Sequence, residues 1–174
     1  MRYDVTTMDS PLGPIVVATS DAGVHAVEFN ASDRPADWEF AKRLGDAEFA
    51  RNGRDRGRGR DVVDRLRRYF DGDVASLDDV RVAGAGTAFQ RRVWTALRRI
   101  APGATTTYGR IAADLGRPGA ARAVGAANGA NPVAIVVPCH RVVGADGTLT
   151  GYAGGLERKR LLLRHEADSL RAAV

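Results

Sequence analysis

Cysteine occurs once in this chain of 174 residues, histidine three times, and lysine only at Lys42 and Lys159 among 26 basic residues. A single cysteine excludes an internal disulfide. With His25, His140 and His165 it offers no recognisable metal-ligand spacing, so no metal is expected. No apolar run approaches the length of a membrane span, and there is no basic start followed by an apolar core and a small-residue cleavage site. No membrane role is therefore expected, and a reducing cytoplasmic compartment is. The scarcity of lysine leaves 24 arginines, and because that skew runs through both halves it points to genome composition rather than function.

The remainder is ordinary for a soluble globular protein, with 44% hydrophobic and 27% charged residues in a length that buries one good core or two small ones. Charge is unevenly spread. Residues 1–84 carry 13 basic and 16 acidic side chains, net −3, whereas residues 85–174 carry 13 basic and 5 acidic, net +8. The second half is therefore the one suited to a polyanion. Two domains are expected, 1–84 and 85–174.

Residues 2–29 alternate in strand fashion, with turn signals at Ser10-Pro11-Leu12-Gly13 and Asp21-Ala22-Gly23, and read as an antiparallel meander. His25 is an ordinary strand histidine. Pro35 to Leu44, with Asp33 as cap, predicts a short helix. Arg51 to Arg60 has repeated arginine and glycine and no apolar residue, which predicts a flexible surface loop. Asp61 begins a helix whose apolar face holds Val62, Val63, Leu66, Tyr69 and Phe70, suited to covering the sheet. Val74 to Ala85 returns to irregular or extended structure.

In the second half, Thr87 and Gln90 form a capping-box pattern ahead of Phe89, Val93, Ala96, Leu97 and Ile100 at helical spacing. Thr107 caps a short helix through Ile111, Ala112 and Leu115, and after the turn Gly116 to Gly119 a second short helix runs from Ala120 to about Asn128. Two short helices joined by a Gly/Pro turn fit a helix-turn-helix or a plain helical hairpin. The second offers Arg122 but is otherwise mostly alanine and glycine, so it has little with which to read base edges. The apolar run Val133 to Val137 predicts a buried strand or extended segment ending at Pro138. Gly144 to Gly155 is glycine-rich, with Asp146-Gly147 marking a hairpin, and a last helix spans about Leu156 to Ala167, packing through Leu156 and Leu161 to Leu163.

The lone cysteine stands in Ile135-Val136-Val137-Pro138-Cys139-His140-Arg141-Val142-Val143. A thiol attacks carbon only as a thiolate, and its pKa is lowered by a cation, a base or a helix N-terminus. His140 and Arg141 supply a base and a cation in sequence. On a regular strand neighbouring side chains point to opposite faces, so Cys139 and His140 meet only if Pro138 bends the chain or a water bridges them.

Pro138-Cys139-His140-Arg141-Val142-Val143 resembles the active-site signature of the O6-alkylguanine-DNA alkyltransferases, also called methylated-DNA–protein-cysteine methyltransferases. The resemblance runs through Gly86-Thr87-Ala88-Phe89-Gln90, Val93-Trp94, Thr107-Tyr108-Gly109, Ala121-Arg122-Ala123-Val124-Gly125, Asn131-Pro132, Gly151-Tyr152 and Leu162 to Glu166. More weakly it includes Ser10-Pro11-Leu12-Gly13. It implies an α/β N-terminal domain, antiparallel sheet plus helices, with ribonuclease H-like topology but without that enzyme's carboxylates. A mainly α, winged-helix-like C-terminal domain with a helix-turn-helix would follow.

The implied activity is direct, single-turnover transfer of the alkyl group from O6-alkylguanine, and more weakly O4-alkylthymine, in double-stranded DNA to Cys139, by a monomer with no cofactor. Glu166 would orient His140, which takes the thiol proton through a water. Tyr108 would protonate the departing base. Asn131 would hold the helix-turn-helix to the cysteine loop. Arg122 would fill the space of a flipped nucleotide. Thr107, Gly109 and Ala123 would meet the DNA backbone. Pro138, Val142, Tyr152 and Ala153 would shape the base pocket. Many relatives have serine where this chain has Ala153, and some carry a structural zinc for which this chain lacks the cysteines. Two other classes remain: a lesion sensor or DNA-binding regulator without transfer chemistry, and a cysteine hydrolase, for which only the Cys/His pair speaks.

Overall fold

Three runs separated by turn residues become the first strands of the computed structural model, which describes residues 2–29, 48–51 and 58–173. They are β1 (Arg2–Met8), β2 (Ile15–Ser20) and β3 (Gly23–Phe29), paired antiparallel as a meander with Val5 opposite Ala18 and Val17 opposite Val27. Ser10 closes the first turn, its hydroxyl donating to the Gly13 carbonyl at 2.6 Å and accepting from the Leu12 amide at 3.2 Å. Gly23 opens β3 at φ 129°, and a Cβ there would lie 2.4 Å from the Arg81 carbonyl oxygen, so only glycine fits.

The sheet is not purely antiparallel, as expected, but mixed. A fourth strand, β4 (Glu48–Arg51), lies parallel to β1 and gives the order β3-β2-β1-β4. Parallel neighbours cannot be joined by a tight turn, and β2 and β3 lie between β1 and β4 in sequence, so this is a long-range pairing that local turn signals do not encode. The helix expected over Pro35–Leu44 lies outside the described residues, as do residues 52–57 of the arginine/glycine stretch. Of that expected loop, Arg51 ends β4 and Arg58–Arg60 are already helical.

Helix α1 (Arg58–Phe70) starts three residues before Asp61 and packs against β1 and β2 through Val62, Val63, Leu66 and Tyr69, all buried. Segment 81–83 then returns to the sheet, with the Val24 amide donating to Arg81 and the Ala83 amide to Val24. These residues make up one of two compact units, Met1–Ala85; the other is Gly86–Val174.

The second unit opens on α2 (Ala88–Leu97), whose capping box is present in full: the Thr87 hydroxyl accepts from the Gln90 amide at 3.2 Å and Gln90 Oε1 accepts from the Thr87 amide at 2.8 Å. Val93, Trp94 and Leu97 are its buried face. A Cβ on Gly86 would lie 2.5 Å from the Trp94 ring, so glycine is required by close approach. Trp94 in turn donates its indole N–H to the Ala127 carbonyl at 2.8 Å. Strand β5 (Thr106–Thr107) leads into α3 (Tyr108–Asp114), capped by the Thr107 hydroxyl, and α4 (Ala121–Gly129) packs on both α2 and α3. Strand β6 (Val142–Val143) pairs parallel to β5.

Helix α5 (Leu156–Ala172) extends beyond the expected end, and Leu156, expected to pack, is 48% exposed at its first position. Among the described residues no helix is long and apolar enough to cross a membrane.

The segment Val133–Val137 is not the expected strand. It is buried as a series of turns, with the Val137 amide donating to the Val133 carbonyl at 2.9 Å and Ile135 at φ 69°. The Asn131 side chain takes the place of a strand partner, its Oδ1 accepting from the Val133 amide at 3.0 Å and its Nδ2 donating to the Val137 carbonyl at 2.8 Å. An amide side chain that satisfies both ends of a short apolar run lets the run coil rather than extend.

His25 is more than a strand histidine by packing: it is buried, its Nε2 lies 2.7 Å from the Ser20 hydroxyl, and the Tyr3 ring meets it edge-on at 4.8 Å. Burial lowers its pKa below the ordinary value. The folded state therefore favours neutral imidazole, and the stability this confers is complete above the unfolded pKa and lost as pH falls through the folded one. The thermal midpoint should accordingly fall between about pH 7.5 and about pH 5.5, and His25→Gln should flatten that fall, as differential scanning fluorimetry of both proteins will read; equal slopes would count against it.

Candidate active site

Pro138 is buried and ends the apolar turns, and Cys139–Arg141 then form one turn of 3-10 helix. Cys139 is 6% exposed. This turn, not a strand, resolves the problem of neighbouring side chains: it directs His140 toward α5 without requiring it to touch the thiol.

His140 Nε2 lies 2.8 Å from Glu166 Oε1, and both side chains are fully buried. Arg141 forks onto the same carboxylate, Nε at 3.0 Å from Oε2 and Nη2 at 2.8 Å from Oε1, and its Nη1 donates to the Ile100 carbonyl at 2.5 Å. The Gly103 amide adds a donor to Glu166 Oε2 at 2.9 Å. Burial alone would push the Glu166 carboxyl up, but the hydrogen bonds and charges of His140 and Arg141 overcome it and hold the carboxyl well below the usual carboxylate range. Burial lowers the His140 pKa; Glu166 opposes that shift and the Arg141 and Lys159 charges reinforce it. His140 is therefore neutral near pH 7. With an ionised carboxylate at Nε2, the proton sits on Nε2 and Nδ1 is the basic nitrogen. That Nδ1 is buried and has no hydrogen-bond partner among the described residues.

Burial raises the Cys139 pKa, and the Asn131 side chain, the Cys139 and His140 amides and the Lys159 charge pull it partly back. Lys159 is fully buried, with Nζ donating to the Val142 carbonyl at 2.5 Å and the Thr150 carbonyl at 2.6 Å. Its own pKa is lowered by burial and supported by the Cys139 charge. In the sequence Lys159 stands out only as one of two lysines. The available signal was its spacing: 159, 162 and 166 share one face of α5, so a helix that buries Leu162 and Glu166 buries Lys159 as well.

The other expected residues fall into two groups. Tyr108 meets Thr150, Asn131 bonds the run before the cysteine turn, Val142 follows the turn buried in β6, and the Tyr152 hydroxyl is buried without a hydrogen-bond partner among the described residues. Burial, and then the Cys139 charge, keep that phenol well above its ordinary pKa. Arg122, Gly109, Ala123 and Ala153 are exposed, the first and third on α4 and Gly109 on α3. Asn128, not singled out from sequence, is buried in α4 and donates to the Cys139 carbonyl at 3.4 Å, a second tie from that helix region to the turn.

Two family models match the chain: "6-O-methylguanine DNA methyltransferase, DNA binding domain" over residues 88–168 and "6-O-methylguanine DNA methyltransferase, ribonuclease-like domain" over residues 1–83. A methylated-DNA–protein-cysteine methyltransferase of Shigella flexneri is 47% identical over 164 residues, covering 90% of this chain and 91% of that one. The chain belongs to this methyltransferase family. The Salmonella typhimurium member is 64% identical over 105 residues, which span 60% of this chain and 61% of the relative. Among solved structures, Mycobacterium tuberculosis OGT in complex with DNA matches with TM-score 0.78 and 40% identity, covering 95% of this chain and 94% of that one. The family's two-part architecture, a ribonuclease-like sheet-and-helix part and a helical DNA-binding part, is thus the architecture of this chain.

Two measurements follow from the buried charges. Lys159→Met removes the cation that lowers the thiol pKa, so the pH profile of Cys139 alkylation by iodoacetamide should move to higher pH; an unmoved profile would refute the electrostatic role. Glu166→Gln keeps shape but strands the buried Arg141 charge, at a cost of about 3 kcal/mol in urea unfolding at neutral pH. Because a depressed carboxyl confers stability above its unfolded pKa and loses it as pH falls, the gap between the two proteins should narrow below about pH 4.5.

Proposed function

We propose that this chain repairs DNA by direct, irreversible transfer of an alkyl group from O6-alkylguanine to Cys139, once per molecule. The observation that carries the reading is the buried His140–Glu166 pair on the turn that holds the buried Cys139, with a bare His140 Nδ1 and an ionised Glu166 behind it. The resting thiol is held protonated by burial. His140 takes its proton through a bridging water, and Glu166 stabilises the imidazolium that forms. The sulfur attacks the alkyl carbon; the S–C bond forms as the C–O6 bond breaks, and the electron pair passes to guanine. Tyr108 gives its proton to ring N3 and the proton held by His140 returns through water to the Tyr108 oxygen, so thiol plus alkylguanine become thioether plus guanine. A thioether has no leaving path, which ends the cycle.

Base selection is assigned to backbone groups. The Cys139 and Val142 carbonyls accept from the exocyclic amine. Each has protein donors already, Asn128 and Lys159 respectively, but a carbonyl carries two lone pairs. Pro138, Tyr152 and the Ala153 backbone border O6 and the alkyl group. O4-alkylthymine is the weaker substrate.

DNA is bound by the basic second unit. Helices α3 and α4 act as a helix-turn-helix, with Arg122 entering the stack beside the flipped nucleotide and the amides around Thr107, Gly109 and Ala123 meeting phosphates. Ala120, before α4, has no side-chain cap, which leaves that helix's first amides for the backbone of the duplex. Small residues along α4 suit a groove without reading its sequence.

Mixing the protein with a slight excess of duplex bearing one O6-methylguanine should add one methylene to the peptide holding Cys139, saturating at one equivalent and absent in Cys139→Ser. Tight binding without a mass change would replace this reading with the lesion sensor, and many turnovers without a stable adduct would replace it with a hydrolase.

A further inference from the structure

Tyr108 does not stand alone in the site. The Thr150 hydroxyl donates to the Tyr108 phenol oxygen at 3.2 Å, whereas the phenol's own O–H reaches the Thr150 carbonyl only at 3.5 Å, beyond a good hydrogen bond. That carbonyl is already engaged by Lys159 Nζ at 2.6 Å, and the same ammonium is anchored at 2.5 Å on the Val142 carbonyl. A charged donor at that distance leaves the carbonyl a poor competitor for the phenol proton. Gly125 of α4 backs the ring, since a Cβ there would make ordinary contact with Tyr108 at 3.7 Å. The ring is thus packed, its oxygen is accepting, and its proton is barely used within the protein.

We propose that Thr150 is a positioning residue for Tyr108: its hydroxyl occupies an acceptor position of the phenol, so that the phenol proton is presented to the guanine ring. The role rests on Tyr108 being the proton donor. As Tyr108 gives up its proton the phenol oxygen gains negative charge, and a hydroxyl donating to a charged oxygen bonds more strongly than one donating to a neutral oxygen. The Thr150 contact therefore tightens along the reaction and lowers the barrier rather than strengthening ground-state binding. The Lys159 clamp contributes by fixing the Thr150 backbone and by keeping its carbonyl from the phenol.

Single-turnover methyl transfer from duplex containing O6-methylguanine, measured with wild type, Thr150→Val, Thr150→Ser, Tyr108→Phe and the Thr150→Val/Tyr108→Phe double variant, tests this. Thr150→Val should slow transfer about tenfold and Thr150→Ser should stay within about twofold of wild type, the scale of one neutral hydrogen bond. Lesion-DNA affinity and thermal midpoint should be unchanged in both. In the Tyr108→Phe background Thr150→Val should add nothing, because its effect passes through the phenol. An equal slowing by Thr150→Val in both backgrounds overturns the proposal. A rate slowed by Tyr108→Phe but not by Thr150→Val overturns the role of Thr150 and leaves the donor assignment standing. A rate untouched by Tyr108→Phe overturns both.

Discussion

The second unit depends on a carboxylate that cannot reach solvent. Glu166 is an ion in a place where an ion is costly, and it is tolerated because His140, two nitrogens of Arg141 and the Gly103 amide converge on it. Those donors come from the 3-10 turn and from the loop after α2, so satisfying one charge ties α5, the cysteine turn and that loop together. Burial, reinforced by the Arg141 charge, keeps the imidazole neutral, and the carboxylate at Nε2 dictates its tautomer. A carboxylate paired with the histidine alone would draw a proton onto the ring; the Arg141 charge works against that, and the basic nitrogen stays available.

The thiol is in the opposite position, a group made less acidic by the burial that shields it. Among buried thiols a raised pKa means inertness unless a base and a cation are held nearby. Here the Asn131 side chain, the backbone amides of the turn and the Lys159 charge offset burial without cancelling it, so the thiol rests protonated but is not out of reach of ionisation. Such a poise suits a protein that can react only once, because a permanently ionised thiol would be consumed by any electrophile that reached it.

Much of this was legible from the sequence, and the reasons differ by residue. The Thr87/Gln90 capping box and the Thr107 cap were readable because capping is local chemistry. The meander was readable because its turns announce themselves. The parallel β4 was not, since its partner β1 is distant in sequence and no turn signal joins the two. Val133–Val137 misled because a short apolar run carries burial without conformation, and the deciding group was the amide of Asn131, outside the run. Glu166 read from composition alone is a surface carboxylate near a helix end. Its burial is tertiary, made possible by the fork of Arg141, and only the resemblance to a family pointed to it beforehand.

Lys159 shows what composition can and cannot carry. The unit holds twelve arginines and one lysine, and the lysine is the residue in the centre of the site. The two side chains do different work there. Arg141 meets a planar carboxylate, for which its rigid fork is matched. Lys159 meets two carbonyl oxygens converging from β6 and from the glycine-rich loop, at 2.5 and 2.6 Å, a geometry suited to a compact ammonium with rotatable donors. A guanidinium at 159 would need more room between Val142 and Thr150 and would spread its charge away from the thiol. The same point charge therefore ties β6 to the glycine-rich loop, lowers the thiol pKa, and occupies the Thr150 carbonyl that lies nearest the Tyr108 phenol.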